Sequence, residues 1–494
     1  MVIFIYTTFV LLLHTIVSAL WLKWTELNLS IFGVLFFIVI QGISLQLSFS
    51  ICELLLSIFL PLKGLSYLNE LNATPNIAIL YTVCDDLDKD ALSELSRQDY
   101  INYKVFVLDD SERYETKQKI NELAEYYNFT IVRRKSRSGY KAGNLNNWLK
   151  LYSKNFDYFI VADSDSKFFS SFIRDMLKYG EHPSNYNVIV FQSKLLYWNT
   201  NMYYPKVMST IQPISNFCIE KLSQNDLIYS LYGRNSMYRT AKIFEVGGFP
   251  EDYIAEDFAL QLRLREKGYL CRIVNIVSYE AYPAILKYNR KRMQRWACQT
   301  IQLLKYQSKR IPLPLIIASI RNAHYYLVWP FYLLGLCLFF ASSLLYGEFN
   351  LGKMFNNFVI GINFLFHPVA IFLIGIFLFQ IIIRAYLALK LKIPLMSYLK
   401  HCLYSMAEGF YLIVPVSFSI IHYLIFTKLE FNPTQSIVLS KKDRAYNSLW
   451  LIIFYILWFF TILTVIIMPI NFILNSFWLI PALLSPILLW RFDH

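Results

Sequence analysis

Histidine is scarce where an enzyme would put it to use. The chain has seven histidines, and only His182 falls between residues 62 and 311. A histidine-built metal site or a histidine general base is therefore not expected there, and acid–base work falls to carboxylates. The seven cysteines, at positions 52, 84, 218, 271, 298, 337 and 402, form no Cys-x-x-Cys pair and read as free thiols. Charge is thin as well: 16% of the 494 residues are charged and 56% are hydrophobic. Such a chain is not an ordinary soluble enzyme and reads as a polytopic membrane protein. Acids are the scarcer sign, 34 against 47 basic residues, for a net charge of +13. Basic loops beside apolar runs account for most of that excess, so no nucleic-acid partner is implied.

The apolar runs are unevenly placed. Runs of spanning length fall at residues 2–22, about 30–52, 324–346, 366–388, 448–468 and 471–490. Val17-Ser18-Ala19 resembles a signal cleavage site, but no basic segment precedes it, so the first run is read as a retained span. A further run, about 405–427, holds Glu408, Pro415 and His422. It is read as lying at the membrane interface. That places Lys428, Lys441, Lys442 and Arg444 on the same side as Arg384, Lys390 and Lys392. The expectation is six spans in a cell membrane, with both termini and the large domain in the cytoplasm. The expected divisions are residues 1–61 (membrane helices), 62–298 (cytoplasmic domain), 299–323 (interfacial) and 324–494 (membrane region). The last includes the 405–427 helix and a loop at 428–446.

The 62–298 stretch alternates strand-like and helical segments. "NIAILYTV" (76–83), "YKVFVL" (103–108), "YFIVA" (158–162) and "NVIVFQ" (187–192) are short and apolar on both faces, as buried parallel strands are. "SERYETKQKINELAEYY" (111–127) reads as helix. The predicted fold is α/β, doubly wound. Ligands of such sheets gather beyond the carboxyl ends of the strands. Cys84, Asp85 and Asp86 follow the first strand, Asp109 and Asp110 the second, Asp163 and Asp165 the third, and Gln192 ends the fourth. One such acid is usually a cap or turn former; three clusters at one edge point to a site. Residues i and i+2 of a strand share a face, so Asp163 and Asp165 are expected to converge. Carboxylates without His or Cys are hard ligands, suited to Mg²⁺ or Mn²⁺ shared with substrate phosphates. A diphosphate also wants cations. Arg137 and Lys141 lie in "SRSGYKAGNLNNWL" (136–149), and Arg290, Lys291, Arg292 and Arg295 in "NRKRMQRW" (289–296). A membrane-surface anchor is the other reading of residues 290–292.

The ordered set "DDS" (109–111), "KAGNLN" (141–146), "DSD" (163–165), "AED" (255–257) and "QRW" (294–296), followed by spans, resembles the processive family-2 glycosyltransferases. That family includes cellulose, hyaluronan and mannan synthases. The resemblance implies a GT-A-like (Rossmann-like) domain inserted in a polytopic helical membrane region. It places Thr82, Cys84, Asp86, Asp109 and Asp110 around the nucleotide, and Lys141 on its diphosphate. Asp163 and Asp165 would bind nucleotide and metal. Asp257, with Glu256 beside it, would be the general base, and Arg295 would hold the pyrophosphate. Trp296 would stack on the acceptor sugar. Gln192 and Asn235, the latter in "YGRNSMYR" (232–239), would lie on the acceptor side. "FNPTQS" (431–436) resembles the family's gating loop. This sequence departs from the pattern at Arg292, where the family's motif begins with Gln. It departs also at Ala255 in place of Thr, and at Pro433 and Ser436 in the loop.

The implied activity is inverting transfer from a nucleotide sugar, with UDP-glucose the favoured donor. The implied product is a β-linked polysaccharide passed across the membrane, with an accessory export subunit as a further partner. Single-sugar transfer to a lipid phosphate is the alternative, and Arg295-Trp296 argues against it. A transporter would carry more intramembrane charges than Arg384 alone. A two-acid glycoside hydrolase would not need Lys141 and Arg295.

Overall fold

The computed structural model describes residues 2–25, 31–306, 310–346, 368–427, 441–467 and 479–490. "FNPTQS" lies outside the described residues.

A seven-stranded sheet organises the middle of the chain. Its strands are β1 (Ile77–Val83), β2 (Tyr103–Asp109), β3 (Thr130–Val132), β4 (Tyr158–Asp163), β5 (Val188–Tyr197), β6 (Ser236–Arg239) and β7 (Leu270–Glu280). They lie in the order β3-β2-β1-β4-β6-β5-β7. The four strands read from the sequence are β1, β2, β4 and the first part of β5. The sheet is not wholly parallel, however: β6 runs antiparallel to both β4 and β5. Four residues are too short a run for hydropathy to reveal a strand.

Alternation along the central strands feeds two cores. On one face Ile77, Ile79, Tyr81, Val107 and Ile160 pack with Leu92, Leu95, Ile120 and Met176 from three covering helices. On the other, Ala78, Leu80, Phe106 and Phe159 pack with Leu145, Trp148 and Leu260. Each such fully buried large side chain contributes about 1.5–3 kcal/mol. Both cores press on one rigid sheet, and that rigidity is what holds its carboxyl edge in place.

Register decides what that edge presents. Val83 pairs with Asp109, and Thr82 pairs with Asp163. The ends of β1, β2 and β4 are therefore level, and the loops after them open side by side. Because β6 is reversed, the segment that precedes it, Tyr232–Asn235, starts from this same edge.

Three helical segments are long and apolar enough to cross a membrane by length and composition: Val2–Leu20, Phe37–Phe59 and Leu395–Phe426. The expected 405–427 segment lies inside the last. Long apolar helices also span Leu313–Tyr346, Pro368–Lys390 and Lys441–Ile467. Arg384 is not the sole charge among these helices. Glu53 of the second takes both oxygens to Arg321 of the Leu313–Tyr346 helix, one contact at 2.5 Å. That pairing is what makes a carboxylate tolerable at such a position. The helix Leu286–Leu303 runs straight through position 298, the expected end of the soluble domain. Its Ala297 and Ile301 share one core with Tyr204, Tyr326, Phe410, Val416 and Ile420. The sheet domain and the apolar helices are thus packed on each other through this helix.

Candidate active site

A cavity of about 540 Å³ opens at the carboxyl edge of the sheet. It is lined by Thr82, Cys84, Asp86, Asp110, Lys141, Asp163, Asp165, Glu256, Asp257, Arg295 and Trp296. These eleven of the expected site residues come together. Asp109, Gln192 and Asn235 do not line it.

Those three hold the wall from behind. Asp109 is 3% exposed and accepts from Arg133 Nε at 2.6 Å. Gln192 accepts from Tyr232 N–H at 3.0 Å and donates to Arg234 O at 2.9 Å. Asn235 has φ +53° and donates Nδ2–H to Tyr279 O at 3.1 Å. Asp109 is held by Arg133 and the Ser111 N–H, and Gln192 and Asn235 by backbone groups, so none of the three reaches the cavity.

Asp110 is gripped by Arg134 through two bonds, at 2.6 and 2.8 Å. Two arginines directly after β3 thus answer two aspartates at the end of β2. The pairing of β2 with β3, Leu108 opposite Val132, brings them level. Cys84 receives Arg137 Nη2 at 3.0 Å on its sulfur. Burial pushes its thiol up to about 11, so it is no nucleophile near neutral pH.

Lys141 enters from the first turn of the helix Tyr140–Tyr152. Its Nζ donates to Asp163 Oδ1 at 2.5 Å and to Gly233 O at 2.9 Å. Thr82 Oγ1 donates to the same Asp163 oxygen at 3.1 Å. Burial works against the Asp163 charge, but Lys141 and Arg234 outweigh it and hold this carboxyl below its ordinary range. Asp165 is the opposite case. Burial, then Glu280 and Asp163, push it up to about 7. Strand alternation does not aim Asp165, because β4 ends at Asp163. Its Oδ2 instead accepts from Ala281 N–H at 3.0 Å, just past β7. Asp86, pushed up to about 6 by burial, accepts from Ser164 Oγ at 2.8 Å.

Glu256 and Asp257 occupy the first turn of the helix Glu256–Glu266. Burial raises both, Glu256 to about 7 with Asp257 beside it as the next cause. Phe258 N–H donates to Asp257 Oδ1 at 2.8 Å, which opposes the rise. Gly233, at φ +69°, closes on this carboxylate. A Cβ there would stand 3.2 Å from Asp257 Oδ2, so a side chain at 233 would crowd this carboxylate as well as strain the backbone.

Arg295 and Trp296 come from the helix Leu286–Leu303. Burial lowers the Arg295 guanidinium to about 10, against the pull of Glu256 and Asp163; it is still charged at neutral pH. Gln294 turns away, donating to Pro415 O at 3.1 Å and Ser419 Oγ at 2.8 Å. Arg290 is fully buried and Arg292 lines the cavity, so neither is a membrane-surface anchor.

Sequence reading missed Arg234, Glu280, Tyr282 and Trp198, all of which line the cavity. Arg234 and Glu280 form a two-point ion pair across its floor, one contact at 3.0 Å. The charges lie 46 residues apart, Arg234 just before β6 and Glu280 at the end of β7. Glu280 had a signal, since it is an acid at a strand's carboxyl end like the others.

Among the described residues no group of three or more His, Cys, Asp or Glu forms a metal cage. Asp163 and Asp165 on one wall fit the mode in which two carboxylates share a divalent ion with substrate phosphates.

The profile of the family described as Glycosyl transferase family 2 matches residues 89–246. Probable glucomannan 4-beta-mannosyltransferase 10 of Arabidopsis thaliana is 26% identical over 245 residues, covering 47% of this chain and 43% of that protein. Glucomannan 4-beta-mannosyltransferase 2 of the same plant is 25% identical over 208 residues, 40% of this chain and 39% of its own. The match thus spans less than half of these curated relatives. A solved mannosyltransferase of Pyrobaculum calidifontis, in complex with GDP-Man and Mn²⁺, covers 71% of this chain and 97% of its own at 16% identity and a TM-score of 0.48. The matched segment runs from the helix after β1 through β6, and holds Asp109, Lys141 and Asp163: the chain carries a family-2 glycosyltransferase domain.

Proposed function

We propose that this protein is a membrane-embedded, inverting glycosyltransferase that extends a β-linked polysaccharide from a nucleotide sugar. One observation carries the reading. Donor-type groups (Asp163, Lys141, Arg295), a buried carboxylate pair (Glu256, Asp257) and an aromatic wall (Trp296, Tyr282) line one cavity.

The donor is already activated, so the site must orient it, take up the leaving charge and remove one proton. Asp257 accepts the proton of the acceptor hydroxyl. That oxygen attacks the anomeric carbon as the bond to the diphosphate breaks. Lys141 and Arg295 stabilise the departing diphosphate. Asp163 and Asp165 would hold a divalent ion, Mg²⁺ or Mn²⁺, which supplies further charge neutralisation. With no protein nucleophile in the path there is one displacement, hence inversion. Thr82, Cys84, Asp86 and Asp110 would border the nucleotide, with Asp109 bracing them.

The similar plant proteins are named as mannosyltransferases, which favours a mannosyl donor over the UDP-glucose suggested by motif resemblance. The catalytic domain would face the cytoplasm of a multi-pass cell-membrane protein. The polymer would leave through the apolar helices packed against Trp296, with or without an accessory subunit. Transfer of one sugar to a lipid phosphate is the second reading.

The test uses the full chain in detergent with Mg²⁺ or Mn²⁺, GDP-mannose and UDP-glucose. Nucleoside diphosphate release and product length are measured. Release from one donor with a long product is expected. Single-sugar products on an added lipid phosphate would replace the polymerase with the second reading. No release with any donor, metal or acceptor would overturn both.

A further inference from the structure

The acceptor end of the cavity is braced by a polar relay that the scheme above does not use. Glu408 sits midway along the helix Leu395–Phe426 and is 5% exposed. Its Oε1 accepts from the Tyr204 hydroxyl and from Asn289 Nδ2, the latter at 2.6 Å. Asn289, also buried, accepts from Arg292 Nε at 3.0 Å through its Oδ1. The Arg292 guanidinium then lies 4.6 Å from the ring centre of Tyr282 and 4.7 Å from that of Trp296. Tyr204 closes the loop, its ring edge-on to Tyr282 at 5.4 Å.

Chemistry fixes the order of this relay. Arg292 has only donors to offer, and Glu408, facing a hydroxyl and an amide NH2, accepts. An asparagine carries one of each and bridges them in a single orientation of its amide. Remove the acceptor at 408, and Asn289 is free to flip and Arg292 Nε loses its anchor. Glu280, the other carboxylate that acts on Arg292, is already taken by Arg234. The position also sets this sequence apart, since the motif it resembles has glutamine where Arg292 stands.

We propose that Glu408 is a positioning residue for the acceptor. Acting through Asn289, it holds the Arg292 guanidinium over the rings of Tyr282 and Trp296, and this cationic plate selects and orients the terminal sugar of the acceptor. With Nε on Asn289 and a further bond to Tyr197, the guanidinium keeps N–H groups to offer vicinal sugar hydroxyls, while the rings cover the apolar sugar face. The proposal rests on the glycosyltransferase reading but is tested separately from it.

The full-length protein and the variants E408A, E408Q, R292Q and E408A/R292Q are titrated with β-1,4-mannotetraose and cellotetraose by calorimetry. Donor KM is measured alongside by nucleoside diphosphate release. E408A is expected to weaken binding of at least one tetrasaccharide about fivefold or more, with donor KM moving less than about twofold. E408Q keeps an acceptor oxygen for Tyr204 and Asn289 and is expected to recover most of that loss. E408A adds nothing on top of R292Q if both act through one plate. The proposal is overturned if neither tetrasaccharide binds the parent protein, if E408A shifts donor KM as much as tetrasaccharide affinity, or if the two losses add. Absence of nucleoside diphosphate release from any donor would instead strike the functional reading, with the binding titration still judging this one.

Discussion

The two ends of the cavity are built by different means. The donor end is made of loops that leave β1, β2 and β4 at one level, so neighbours in the sheet become neighbours in the site. Its charges are cross-tied in pairs: Arg133 with Asp109, Arg134 with Asp110, Lys141 with Asp163. The acceptor end is made by the Leu286–Leu303 helix resting on the Leu395–Phe426 helix, with aromatic rings and one buried relay. On the proposed function the first end binds the same diphosphate in every cycle, which rigid charge pairs suit. The second takes and then releases a growing sugar chain, which flat surfaces with few fixed bonds suit.

This contrast can be broken most forcefully at the point where the ends meet. On the proposed mechanism Asp257→Asn removes the base, and it is expected to lower kcat about a thousandfold or more while donor binding persists. A kcat within tenfold of the parent would show that another group takes the proton. At the donor end, Lys141→Met leaves Asp163 without its charged partner. Donor KM is expected to rise about 10- to 100-fold, the worth of a charge-assisted contact, with tetrasaccharide affinity little changed. At the acceptor end, Trp296→Ala is expected to weaken tetrasaccharide binding about tenfold with donor KM nearly constant. If both variants shift both constants alike, the two ends are one unit and the comparison fails.

The smallest effect tests the metal wall through pH. Asp165 is raised to about 7 in the folded chain, above an unfolded value of about 3.9. The folded state therefore binds more protons between those values, and stability falls as pH rises through that window. Asp165→Asn removes this cost. It is expected to raise the Tm of metal-free protein by a few degrees at pH 8, and the gain should shrink as pH falls toward 4. Added Mn²⁺ should stabilise the parent and not the variant. Activity runs the other way. Burial raises both Glu256, to about 7, and Asp257, so kcat should climb as pH rises and the carboxylate pair sheds its protons.

The donor end was legible because its residues sit in short motifs after strands that hydropathy reveals. "DDS", "KAGNLN" and "DSD" each mark a carboxyl edge or a helix start, and all three reach the cavity. Gln192 and Asn235 belong to the same pattern but bond to backbone and support the wall, which no motif could show. The reversal of β6 was illegible for a similar reason, since four residues carry no period.

What the sequence alone determined is the set of chemical groups: acids at strand ends, two cations near them, a carboxylate at a helix start, and apolar helices around them. These follow from local patterns, in which a residue's role is set by neighbours a few positions away. Only the tertiary structure decided that Arg234 answers Glu280, that Asp165 is aimed by Ala281 and not by its strand, and that Glu408 reaches Arg292 through Asn289. Those pairings join residues from 3 to 119 positions apart, and even the shortest needs Asn289 held by a helix far along the chain. They exist because packing of separate elements brings buried charges within bonding distance, where burial leaves them no alternative but to pair.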